Sequence, residues 1–122
     1  MGDGVQVEYT QAFVRELRAL PPDQRARVVR RVDVLQRKGW GTSAQARDVV
    51  RLSPHIWELR VLGTGPAYRV LFFAIPGEPD RIVVLTRCVR KGLMKKTAVM
   101  ASEIARAESR RREWLAQHER TR

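Results

Sequence analysis

One cysteine, Cys88, stands in a chain of 122 residues. No internal disulfide can therefore brace the fold, and the place of Cys88 inside an apolar run reads as a packing residue. Two histidines, His55 and His118, lie far apart in the sequence. With a single thiol they cannot assemble a metal-ligand cluster at the usual spacings, so neither a metal nor a cofactor is expected. No apolar run approaches the roughly 18 residues of a spanning helix. No amphipathic stretch has a lipid-facing aromatic band either, and no membrane partner is expected. The opening Met1-Gly2-Asp3-Gly4 lacks the apolar core of a secretory leader, which makes the cytoplasm the expected location. Acidic residues are scarce: 13 Asp and Glu face 24 Lys and Arg, a formal charge of +11. So much positive charge on a small body calls for a polyanion or an acidic protein, nucleic acid first.

What is present reads as one α+β domain spanning residues 1–122, with an N-terminal strand and helical hairpin on an antiparallel sheet and a C-terminal helix. Val5 to Tyr9 alternates as a short strand, and Phe13, Leu17 and Leu20 then recur at helical spacing. Pro21-Pro22 ends that helix. Val28, Val29, Val32 and Leu35 make the apolar stripe of a second one, which stops at Gly39. Its other side carries Arg25, Arg27, Arg30, Arg31, Arg37 and Lys38, a pattern most often seen on a solvated face. Asp48 to Leu52 is a candidate short extended segment. Ile56 to Val61, Tyr68 to Ala74 and Arg81 to Val89 read as three strands of a meander, separated by turn residues at 63–66 and 76–80. Thr97 to Gln117 is helix-prone, and an Arg-rich tail from about residue 110 is expected to fray.

Candidate chemistry sits on the meander. Strand alternation puts Trp57, Leu59 and Val61 on one face and Glu58 with Arg60 on the other. Arg69 on the next strand can reach that second face, and Arg87 on the third can join them. Arg90, Lys91, Lys95 and Lys96 then form a rim free of acidic residues. The arrangement depends on register, since a slip of one residue moves an arginine to the wrong side. Arginine forks suit phosphates, and Tyr68 or Trp57 would stack a base if exposed. RNA cleavage also needs a base for the 2′-hydroxyl and an acid for the leaving oxygen. Glu58, His55, Tyr68 and a desolvated lysine are the candidates. Glu58 is equally explained as a salt-bridge partner of Arg60, and His55 as an exposed histidine at a strand entrance. Arg69 has the costliest position to justify, inside an apolar run.

The segments Ile56-Trp57-Glu58-Leu59-Arg60, Ala67-Tyr68-Arg69-Val70-Leu71-Phe72-Phe73 and Ile82-Val83-Val84-Leu85 resemble the phage-derived Gp49-like HigB branch of the RelE/ParE toxin superfamily. Lys95-Lys96-Thr97 and the run from Glu103 to Ala107 resemble its lysine pair and following helix. The resemblance implies a RelE-like fold and a metal-independent, ribosome-associated mRNA endoribonuclease that inhibits translation, with an antitoxin partner of the helix-turn-helix DNA-binding type. It implies that Arg69 contacts the scissile phosphate and that Arg60, Lys95 and Lys96 line the groove. Where RelE itself has lysines this chain has Ile56 and Glu58, so acid and base assignments stay open. A ParE-like poison of DNA gyrase, which cuts no RNA itself, is the alternative within the same superfamily.

Overall fold

Thr10 separates the first strand, β1 (Gln6–Tyr9), from the first helix, α1 (Gln11–Arg18). In the computed structural model, which describes residues 4–39, 48–63, 65–75, 82–90 and 97–119, its hydroxyl accepts from the Phe13 N–H at 3.1 Å. This satisfies a donor that a helix start would otherwise leave open. The same hydroxyl donates to the Leu85 carbonyl at 3.2 Å, fixing the helix entrance to the sheet. Helix α2 (Pro22–Lys38) begins on a proline and ends at Gly39, whose φ of 73° lies in the left-handed region.

Strands β2 (Val49–Arg51), β3 (Trp57–Val61), β4 (Tyr68–Ile75) and β5 (Ile82–Arg90) follow, and α3 (Thr97–Glu119) closes the chain. The five strands form one sheet in the order β1-β5-β4-β3-β2. β3 to β5 form the expected antiparallel meander, and the short β2 joins it antiparallel beside β3. β1, however, is a full member of the sheet and runs parallel to β5, with Val7 opposite Val83. Parallel neighbours need a crossover, and the α1–α2 hairpin is part of it.

Each face of the sheet has its own core. Leu59, Val61, Tyr68, Val70, Phe72, Val83 and Leu85 pack with Phe13, Val28, Val32 and Leu35 of the helical hairpin. On the other side Leu71, Phe73, Ile75, Val84 and Val89 pack with Ala107 and Trp114 of α3. Burying such side chains, at about 2 kcal/mol each, is what holds the helices on. Val29, expected in the buried stripe of α2, is 49% exposed instead. The tail expected to fray from about residue 110 is helix through Glu119. Trp114 is buried and meets Phe73 edge to face, with ring centroids 5.7 Å apart. Among the described residues no helix is long and apolar enough to cross a membrane.

Candidate functional site

Pairing of β3 with β4 sets Arg60 directly opposite Arg69 and Glu58 opposite Leu71. Because Leu71 belongs to the α3-side core, all three charged residues project from that face, while Leu59 and Val61 point to the helical hairpin. Like charges directly opposite on neighbouring strands repel, and here Glu58 offsets the repulsion. Its Oε1 accepts from Arg69 Nη1 at 2.8 Å and lies 3.6 Å from Arg60 Nε. Glu58 is buried, the Arg69 side chain is 14% exposed and that of Arg60 39%. The cluster sums to one net positive charge. Arg60 Nε is itself buried and has no hydrogen-bond partner. With only the Glu58 carboxylate 3.6 Å away, this charged N–H is weakly satisfied, and an added acceptor would find a donor there.

Other expected site residues lie elsewhere. Arg87 opposes Leu71 and projects from the α3 side, but its guanidinium is committed to internal ion pairs. Nε donates to Glu103 Oε2 at 2.6 Å and Nη1 to Glu16 Oε2 at 2.5 Å, while Nη2 also reaches Glu103. With its side chain 11% exposed, Arg87 is a tie between α1, β5 and α3 and not an open cation in a groove. A bulge explains the detail. The register shifts between Leu71 and Phe72, skipping Thr86, whose hydroxyl bonds the Leu71 carbonyl at 2.9 Å. The bulge brings Arg87 to the α3 side and sends Cys88 to the opposite one. Arg110 joins the network through the Thr86 carbonyl and Glu16.

Tyr68 does not face the groove either. It is buried on the hairpin side, with its hydroxyl donating to Gln24 Oε1 and Arg27 over its ring, so it offers no face to a base. Trp57 lies on that same side beneath the Arg51 guanidinium, 5.6 Å from its ring centre. Arg90 is exposed but opposes Tyr68, which puts it on the hairpin side of the sheet and not beside Arg69. His55 is exposed in the β2–β3 connection, at the end of β3 remote from Arg60, and is not brought to the arginine pair. Lys91, Lys95 and Lys96 fall outside the described residues. His118 stacks on Trp114 at 3.6 Å and its Nδ1 meets the Trp114 carbonyl, a packing role. Cys88 packs against the hairpin-side core. Burial, and secondarily the Glu16 carboxylate, push its thiol up to about 12, against a smaller opposing pull from Arg87.

A cleft of about 620 Å³ opens between the start of α1 and the second half of α3, beside Thr10, Arg15, Arg106, Arg110 and His118. Glu58, Arg60 and Arg69 take no part in it. Sequence reasoning missed the network of Glu16, Glu103 and Arg110, which no local pattern betrays, and the pairing of Asp48 with Arg31, 17 residues before it. A family model described as phage derived protein Gp49-like (DUF891) matches residues 15–112. No curated protein and no solved structure matches the chain.

Proposed function

Because the chain belongs to the phage-derived Gp49-like family, which lies within the RelE/HigB-like toxin group, we propose that it is the toxin of a toxin–antitoxin pair and acts as a metal-independent mRNA endoribonuclease on the ribosome. The observation that carries this reading is the Arg60–Arg69 pair, which shares one Glu58 carboxylate and leaves Arg60 Nε without a hydrogen bond. A phosphate oxygen is the acceptor such a pair suits, since each guanidinium offers a planar fork of donors.

In the proposed reaction the 2′-oxygen attacks the adjacent phosphorus and the bond to the 5′-oxygen breaks. The products are a 2′,3′-cyclic phosphate and a free 5′-hydroxyl. Charge gathers on the phosphorane oxygens, where Arg69 and Arg60 stabilise it. The phosphate draws Arg69 away from Glu58, and the released carboxylate takes the 2′-hydroxyl proton. Lys95 and Lys96 supply the proton for the leaving oxygen and further phosphate contacts. An antitoxin completes the system, and the +11 charge favours an acidic binding segment on it.

Expressing the protein in growing cells and mapping new RNA ends tests the reading. Fresh 5′-hydroxyl ends within translated messages are expected. Growth arrest with intact messages rejects it, and trapped gyrase complexes in that case establish the ParE-like alternative.

A further inference from the structure

β2 supports β3 over only three rungs, Val49 to Arg51 against Leu59 to Trp57. The next rung falls at Arg60. Its N–H donates to the Asp48 carbonyl at 2.7 Å. Its own carbonyl is met by a helix side chain: Arg31 Nε of α2 lies 3.4 Å away. Arg31 Nη2 at the same time donates to Asp48 Oδ2 at 2.6 Å, with the two side chains 20% and 29% exposed. Arg31, Asp48 and the Arg60 peptide thus close a ring, in which one guanidinium fork holds a carboxylate with one arm and a strand carbonyl with another.

We propose that Arg31 and Asp48 are positioning residues for the Arg60 guanidinium, clamping its backbone so that the side chain meets a bound RNA phosphate. The inference rests on the ribonuclease reading and extends it to the opposite side of the sheet. Arg60 Nε makes no hydrogen bond, and its carboxylate neighbour stands 3.6 Å off. Its own contacts therefore fix the guanidinium only weakly, and the backbone sets where it sits. Asp48 neutralises Arg31 and aims its fork. A lysine at position 31 keeps the charge but lacks the planar fork whose separated Nε and Nη2 reach the two acceptors.

The test uses the full chain with purified mRNA–ribosome complexes, at a temperature where circular dichroism shows every variant folded. Arg31→Met and Asp48→Asn are expected to lower kcat about tenfold or more, as small misplacements of a catalytic group do, with KM unchanged. Arg31→Lys is expected to fall short of rescue. Arg37→Met, which breaks the exposed pair with Asp33 on the same helix, should leave both constants alone. An NMR shift of the Arg60 Nε–H resonance in Arg31→Met, read without RNA, reports the clamp independently of cleavage. Unchanged kcat or an unmoved Arg60 resonance in Arg31→Met overturns the proposal while leaving the ribonuclease reading intact. Full cleavage by Arg69→Ala overturns the role given to Arg69 alone, and an unsubstituted chain that cuts nothing overturns the ribonuclease reading and the clamp's purpose with it.

Discussion

Replacing Arg87 by Met separates a structural arginine from an RNA-binding one. The Arg87 side chain, 11% exposed, sits between Glu16 and Glu103 and bonds both. Without it, among the described residues Glu103 keeps Arg106, 3.9 Å away and largely exposed, and Glu16 keeps Arg110 at 3.5 Å. Removing one partner of a buried ion pair costs about 3–5 kcal/mol, because the other charge stays out of water with nothing to meet it. Residual exposure and the surviving arginines favour the lower end, about 3 kcal/mol. For a domain of this size that lowers Tm by about 12 °C, at about 4 °C per kcal/mol. Urea titrations followed by circular dichroism measure the loss. Glu103→Gln in the same chain removes the stranded carboxylate and should recover at least about 1 kcal/mol, a coupling expected of residues in one network. A loss below about 1 kcal/mol, or no recovery in the double variant, would show that Arg87 is not committed to these carboxylates and would return it to the list of RNA contacts.

Arg69→Ala should reduce RNA cleavage by about 10²–10³ while the chain stays folded, and Arg69→Lys should recover little because an ammonium cannot reproduce the fork; primer extension on a translated message reads both. Tyr68→Phe removes a hydroxyl bonded to Gln24 in the core and should cost about 1 kcal/mol with RNA affinity unchanged, whereas lost affinity at unchanged stability would contradict the buried placement. The Cys88 thiol, pushed up to about 12, should resist iodoacetamide at pH 8 until denaturant is added. Because that pKa lies above its unfolded value, the contribution to stability is complete at neutral pH and declines as alkali ionises the unfolded thiol, so midpoints measured from pH 8 to 10 should fall more steeply for the native chain than for Cys88→Ala. Trp114→Ala should destabilise by about 3 kcal/mol; a negligible change would mean that the end of α3 is loose after all.

Strand alternation made the most consequential feature legible: Trp57, Leu59 and Val61 against Glu58 and Arg60 determine both faces of β3. Once β4 pairs with it, Arg69 follows onto the same side. Composition misled at the tail, where arginines suggested solvent although Ala107 and Trp114 recur at a spacing that one helical face can bury. Long-range partners were beyond reach. Glu16 lies 71 residues before Arg87, and nothing local in either segment announces the other. Tyr68 fits an open groove and a core equally well, since its ring is apolar and its hydroxyl needs only one acceptor. Gln24, 44 residues earlier, decides the matter. The bulge at Thr86 is equally silent in sequence, yet it governs where Arg87 points.

The parallel match of β1 with β5 pairs residues 76 positions apart, Val7 with Val83, and Thr10 just beyond it bonds Leu85. Translation produces β1 first and β5 long afterwards, so the earliest strand waits unpaired through most of synthesis. Loop closure on that scale is slow as well as late. A nascent chain whose β5 has not yet emerged therefore lacks the central strand that β1 and β4 both need, and its sheet is completed only late.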